Sequence, residues 1–434
     1  MNISILSVFP QLYTSFLETS IIKKAQDQNL VRFDLCSFFS HVVPKERIDA
    51  PTFGHGAGML IKPDVVQKAV ESQEEKWGKS FKIFFSPQGK KLDQRLLKKI
   101  KRSLVGYQHL MLLPARYEGM DARVEQEYAD EIISVGDFVL MGGDIPAMML
   151  LEGLLRLMPG VVGKAESVEA DSFTGPLVDY PEFTHPIVWK NKEVPEVLRS
   201  GDHGRIKKWQ NEQSLQRTVT YHFDWLRTSC LSNDKKKEII THIPPHYIAL
   251  LHNEIIVQDD GLVGHTSVTS LDIHDIARSA KTYGIKQYFI VTDLIDQQKI
   301  VRKLLDFWQE GGGVTYNASR HRAVKQVELQ STLDQVIQAI EKKEGKAPVI
   351  IATSAKVHEG ITVSYFDQAR VWAQNKPVLI IFGTGKGLAP EVLKRCDFIL
   401  GPLQGFIDYN HLSVRSAAAI VLDRWLGINP KECG

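Results

Sequence analysis

The 434-residue chain sets 53 Lys and Arg against 51 Asp and Glu, a formal net charge of +2, and is 43% hydrophobic and 24% charged. That length exceeds what one core supports, so two or three domains of an ordinary soluble globular protein are expected. Four cysteines without a C-x-x-C pair argue against a disulfide framework or a zinc ribbon and favour a reducing compartment, and no metal site is expected. With neither a leader-like N-terminus nor an apolar run of about 18 residues, a cytoplasmic location is expected, with no membrane span.

In chain order, "NISILSVFP" reads as a strand, Gln11 to Gln28 as a helix, and "VRFDLCSFF" as a second strand. After the glycine cluster "FGHGAGML" comes the helical spacing of "PDVVQKAVESQEEKW", the strand "KIFFS", and a helix opened by "SPQGKKLDQRLLKKI". "HLMLLPA" is a buried strand, "DARVEQEYADE" a short helix, "IISVGDFVLM" a strand and "PAMMLLEGLLRLM" a helix. Nearly continuous apolar strands alternating with helices imply an α/β unit built on a mostly parallel sheet covered on both faces. From about Pro159 the periodicity breaks at prolines and glycines, and a basic helical stretch, "GDHGRIKKWQNEQSLQRT", follows. Beyond the twin prolines of "IPPHYIALLHNEI" strands resume at "HYIALLHN", "QYFIVT", "PVIIAT", "PVLIIFG" and "DFILG". The expected domains are therefore 1–160, a linker and small helical domain over 161–243, and a second α/β domain over 244–434.

Two stretches share an outline: "SVGDFVLMGGDIPAMMLLEGLLRLMPG" from Ser134 and "RCDFILGPLQGFIDYNHLSVRSAAAIVLDRWLG" from Arg395. Each runs acid, Phe, two branched apolar residues, a glycine turn and an apolar helix. The turns "PARYEG", "GDFVLMGGD", "FGTGKGL" and "LGPLQG" follow apolar strands, where parallel sheets bind ligands at strand carboxyl ends. "GTGKG" fits neither the phosphate-loop spacing nor the dinucleotide fingerprint, so a nucleoside pocket built from two glycine loops fits better than an NTP or NAD site. Basic clusters at "KKLDQRLLKKIKR", "RSGDHGRIKKWQ", "NDKKKE" and "SRHRAVK" are each either a solvated helix face or a surface that tracks phosphates.

"SPQGKKLDQ", "RYEGMDARV", "SVGDFVLMGGDIPAM", "RLMPGVVGKAES", "DSF", "VPEVLRSGDH" and "QSLQRT" occur in one order over about the first 220 residues. Together they resemble the TrmD-type tRNA (guanine-N1) methyltransferases. Through "IIFGTGKGL", "FILGPL" and "YNHLSVRSAAAI" the second unit is similar to the SPOUT class of S-adenosylmethionine-dependent RNA methyltransferases. The resemblance implies two trefoil-knotted, parallel-sheet α/β domains separated by a small helical domain, each copy of the outline being the loop that holds the methyl donor.

Guanine N1 keeps a weakly acidic proton, so its methylation calls for a general base and a cation near O6. The resemblance implies Asp171 as base, Arg156 as O6 stabiliser and Glu118 as a positioning carboxylate. Taken alone, Asp171 equally suits a helix N-cap, Arg156 a helix C-terminus, and Glu118 a pairing with Arg116 or Arg123. The resemblance further implies donor contacts at Ser86, Pro87, Tyr117, Glu118, Val135, Gly136, Phe138, Leu140, Gly142, Gly143 and Pro146. In the second domain it implies them at Gly383, Gly385, Leu400, Gly401, Asn410, Leu412 and Ser413. Arg199, His203, Arg205, Lys207, Lys208 and Trp209 would grip the anticodon stem-loop of tRNA, and the family's site forms between two subunits, which implies a homodimer. Ala115, His55 and Asp144 depart from the family's usual Gly, uninterrupted glycine cluster and Glu. No counterpart of the Asp171 and Arg156 pair is found in the second domain, which is either a methyltransferase for another RNA or a non-catalytic RNA-binding or dimerisation module. A nucleotide-dependent oxidoreductase is disfavoured by the failed fingerprint.

Overall fold

The computed structural model describes residues 1–162, 171–358 and 362–431. The chain divides into two compact units, Met1–Thr174 and Gly175–Gly434.

The first unit is built on five strands, β1 (Asn2–Ser7), β2 (Arg32–Ser37), β3 (Ser80–Lys91), β4 (His109–Leu113) and β5 (Glu131–Ser134), arranged β2-β1-β4-β3-β5 and parallel throughout. Both faces are covered, as the apolar runs require. On one face α3 (Gln94–Ser103) and α5 (Asp144–Arg156) bury Leu96, Leu97, Ile100, Leu150 and Leu154 against Ile3, Ile83 and Leu112; on the other, α2 (Pro63–Trp77) and α4 (Ala122–Tyr128) pack Val66, Val70 and Val124 onto Phe84 and Met111. The helix expected over Gln11 to Gln28 is broken: Ser20 has φ 50°, and only α1 (Ser20–Asp27) runs beyond one turn.

The second unit carries seven parallel strands, β6 (His246–Leu251), β7 (Gln287–Val291), β8 (Val327–Gln330), β9 (Val349–Thr353), β10 (Thr362–Val363), β11 (Val378–Gly383) and β12 (Phe398–Leu400), in the order β8-β7-β6-β11-β9-β12-β10. Its inner five, β7-β6-β11-β9-β12, repeat the first sheet's arrangement strand for strand and in the same chain order. On one face α7 (Ser270–Thr282) and α9 (Val414–Leu426) share a core with Leu215 and Val219 of the basic helix α6 (His203–Tyr221), so that helix is seated on the second sheet. The opposite face is covered by α8 (Leu333–Glu344).

The doubled outline is real as strand, loop and helix, but its apparent register is shifted. In the first unit "DFVL" lies beyond the strand, with Phe138 56%, Val139 93% and Met141 90% exposed; in the second, "FIL" is the strand itself. The matching acid is Asp130: its N–H donates to Lys82 O (3.0 Å) and its carboxylate accepts from Lys82 N (2.7 Å). Asp397 does the same with Ile350, at 3.0 and 2.7 Å. The strand expected over "IISVGDFVLM" therefore stops at Ser134, because the edge strand β5 has only β3 to pair with.

Among the described residues Cys36 and Cys396 are free thiols, whereas Cys230 is disulfide-bonded, a departure from the expectation drawn from cysteine spacing.

Candidate active site

In the first unit three segments meet, the middle of β3 and the carboxyl ends of β4 and β5, around a solvent-open cleft of about 240 Å³. Parallel sheets commonly bind small molecules at such strand ends. The β3 segment supplies Ser86 and Pro87, the loop after β4 supplies Tyr117 and Glu118, and the loop after β5 supplies Val135, Gly136, Phe138, Leu140, Gly142 and Gly143, with Pro146 from the first turn of α5. The structure thus brings all eleven predicted first-unit donor residues to one cleft.

The shape of these loops follows from close backbone packing. Gly143 N–H donates to Ala115 O at 2.7 Å, and a Cβ on Gly143 would lie 2.9 Å from Pro114 Cα. A Cβ on Gly142 would lie 2.5 Å from Arg116 Cδ. Only glycine lets the two loops touch in this way. The long strand β3 depends on the same device: a Cβ on Gly89 would lie 2.6 Å from the Ile133 backbone, so "SPQGKK" crosses over β5 as strand and the helix starts only at Gln94.

The loops are tied together by a buried carboxylate. Asp144, with no exposed surface, accepts from Ser7 Oγ (2.7 Å), Tyr13 OH (3.0 Å) and Arg116 Nε (2.5 Å). Burial, with Asp144 beside it, raises the Tyr13 phenol far above its ordinary range, so it stays a proton donor. Nothing in the apolar periodicity marks Ser7 and Tyr13 as partners of this site. Their signal is polar groups in an otherwise apolar first strand and helix.

Neither expected partner holds Glu118. Arg116 is committed to Asp144 and Arg123 to Asp121 (2.8 Å), which leaves the Glu118 carboxylate in the cleft without an ion-pair partner among the described residues. A Cβ on Gly58 would lie 2.4 Å from Glu118 Cγ, so the hairpin of Asp49–Pro51 and Met59–Ile61 backs this side chain closely. His55, at φ 57°, sits in that hairpin's turn and does not line the cleft.

Arg156 and Asp171 do not line the cleft either; they are brought to each other. Arg156 Nε and Nη2 donate to Asp171 Oδ2 (2.6 Å) and Oδ1 (2.9 Å), a two-pronged pair. Arg156 is the last residue of α5, where a cation is favoured. Asp171 begins a turn in which Thr174 N–H and Oγ1 donate to Asp171 O.

Of the residues expected to touch RNA, Arg199 is paired with Glu193 (2.5 Å) and the half-buried Trp209 stacks obliquely on Phe183, ring centres 6.2 Å apart. His203, Arg205, Lys207 and Lys208 are exposed on the first turns of α6.

The second unit repeats the loop geometry with other side chains. Tyr117 and Gly119 have φ 58° and 120°; Gly385 and Gly387 have φ 56° and 112°. Glu118 N–H donates to Met59 O (3.0 Å), and Lys386 N–H donates to Ile256 O (2.9 Å). Lys386 therefore stands where the first unit has Glu118, and its ammonium pairs with Asp259. Gly383 closes β11, the buried Leu400 ends β12, and Gly401 follows it, its N–H donating to Val363 O at 2.9 Å. Asn410 Nδ2 donates to Ala355 O (2.8 Å), Leu412 is 48% exposed, and Ser413 caps α9 by accepting from Ser416 N (3.3 Å). Ser354, in the place of Ser86 by the register of Asp130 and Asp397, escaped the sequence reading because no glycine flags its turn.

Residues 1–228 match the family described as tRNA (guanine-1)-methyltransferase TrmD, and residues 245–427 match one described as SAM-dependent RNA methyltransferase. A protein of Oleidesulfovibrio alaskensis named tRNA (guanine-N(1)-)-methyltransferase is 39% identical over 98% of this chain and 99% of its own length. One of the same name from Nitratidesulfovibrio vulgaris is 38% identical over the same shares. A Bacillus licheniformis protein, also of that name, is 39% identical over 55% of this chain and 98% of its own. These matches place the chain in the tRNA (guanine-N1)-methyltransferase family, as an enzyme fused to a second SAM-dependent RNA methyltransferase domain.

Proposed function

We propose that the enzyme transfers a methyl group from S-adenosylmethionine to N1 of the guanosine immediately 3′ of the tRNA anticodon, guanosine-37. The observation that carries this reading is the Arg156–Asp171 pair. A guanine Watson–Crick edge presents an N1–H donor beside the O6 acceptor, the complement of a carboxylate beside a guanidinium. A guanine entering between the two gives each a replacement partner. Asp171 takes the N1 proton, Arg156 bears the charge growing on O6, and the freed N1 electron pair attacks the methyl carbon. The carbon–sulfur bond breaks toward sulfur, leaving S-adenosylhomocysteine. The eleven expected donor residues in the cleft would hold the donor, with Glu118 positioning it.

On this reading each sheet is trefoil-knotted, the site is completed across a homodimer in the cytoplasm, and α6 grips the anticodon stem-loop, with working domains 1–160, 161–243 and 244–434. The second domain holds its own donor and acts on another RNA, since Lys386 in place of Glu118 removes a carboxylate that the first site keeps.

Labelled methyl transfer to total tRNA, with the product nucleoside mapped, tests this. Asp171→Ala is expected to lower N1-methylguanosine formation by about 10²–10⁴-fold, the usual worth of a general base. Undiminished product would remove Asp171 from the mechanism. Label persisting in a different nucleoside would assign tRNA chemistry to the second domain.

A further inference from the structure

A strongly basic helix lies beside the Arg156–Asp171 pair and takes no part in the chemistry above. Helix α3, "QRLLKKIKRS", has five cations and no acid; its N-cap Asp93 is engaged by Leu96 N–H at 2.8 Å. Several other helices of this chain offset their cations, as in Lys235–Glu238, Arg278–Asp275, Lys299–Asp296 and Lys394–Glu391. On α3 Lys98 instead faces a like charge one turn away, Arg102, an arrangement that costs helix stability. Lys99, Lys101 and Arg102 are exposed and have no acidic partner among the described residues.

The apolar side of α3 is fastened to the site. Leu97 packs under Gly153 of α5, where a Cβ would lie 2.7 Å from Leu97 Cδ1, and Gly153 is one turn before Arg156. Lys98 Nζ donates to Thr174 O (2.6 Å), and Thr174 closes the turn on Asp171. The helix thus braces both members of the pair while its outer side presents unneutralised positive charge.

We propose that Lys99, Lys101 and Arg102 form a phosphate-tracking ridge that seats the RNA backbone next to the reacting base. The proposal rests on the tRNA reading above. Phosphate contacts of this kind position a nucleic acid without reading its sequence, and each leaves its mark as released counterions.

The test is steady-state methylation of tRNA by the full-length protein, comparing the wild type with Lys99→Gln/Lys101→Gln/Arg102→Gln over a range of salt. All three side chains are exposed, so folding is not at stake, and thermal melting checks this. The expected result is a KM for tRNA raised roughly tenfold or more, with kcat at saturation and KM for S-adenosylmethionine unchanged. The slope of log affinity for tRNA against log salt should become shallower by about 2–3, roughly one per contact. An unchanged KM and slope would overturn the proposal and leave α3 a solvated face. A changed sedimentation profile with an unchanged slope would also overturn it, in favour of contact with a second copy of the chain. Wild-type protein that labels no tRNA would instead sink the tRNA reading itself.

Discussion

Asp144 carries the most structure per atom in the first unit. A fully buried carboxylate is tolerated only with its lone pairs used, and here a hydroxyl, a phenol and a guanidinium use them. Because Arg116 opens the loop bearing Tyr117 and Glu118, and Asp144 closes the loop bearing Gly142 and Gly143, their ion pair sets the width of the cleft. Asp144→Asn turns two acceptor oxygens into one and sets an amide against the Arg116 guanidinium, at a cost of about 1–3 kcal/mol for the unmet donors. Calorimetry should show S-adenosylhomocysteine binding weakened at least tenfold, while Asp144→Glu, which keeps both acceptor oxygens, binds within a few-fold of wild type. Equal binding by the Asn variant would mean that the pair is scaffolding only.

At the scale of elements, the turns decide what can be changed. Gly143 sits against main-chain atoms, which cannot swing aside, so Gly143→Ala should abolish donor binding while leaving the melting of the sheet nearly unaltered. Near-normal affinity in that variant would show that the two loops can separate without loss. The same turns explain what the sequence disclosed. The parallel sheets and the glycine turns at their strand ends were legible in the pattern itself, whereas the eleven expected donor residues, all of which line the cleft, were legible only through the family resemblance. Strand ends were not. "SPQGKK" reads as the opening of a helix, yet Pro87 and Gly89 lie inside β3 because its extension crosses another backbone. Val139 and Met141 read as strand core, yet they are exposed beyond β5. The edge strands β8 and β10 were missed, being short and half polar, and the Arg156–Asp171 contact spans fifteen residues that no local period relates.

For the molecule as a whole, stability should follow two buried histidines of the second unit. His246 is enclosed: Trp372 and Trp425 donate their indole N–H groups to its Nε2 (3.3 and 3.0 Å), and burial lowers its pKa to about 4. His252 is likewise lowered to about 4 by burial. Both are neutral when folded and would take up protons when unfolded, with an ordinary pKa of about 6.5. The unfolded chain therefore binds more protons between about pH 4 and 6.5, so stability is complete above that window and falls as pH drops through it. For a shift of this size the loss approaches about 3 kcal/mol per histidine. Thermal melting of the second unit should drop steeply from pH 6.5 to 4.5, and His246→Gln, whose carbonyl can still accept from an indole, should flatten the slope by about half. A pH-independent transition would place these imidazoles in contact with water.

The two units hold one turn in the same shape by main-chain hydrogen bonds, although a tyrosine and a glutamate in one are a glycine and a lysine in the other. A shape stored in the backbone descends through a lineage without depending on its side chains. After a duplication, such a turn lets one copy exchange its acid for a base while its grip on a shared ligand is left intact. Co-reactant and target thereby become separately heritable, and a single polypeptide can keep one donor while its halves acquire different RNA substrates.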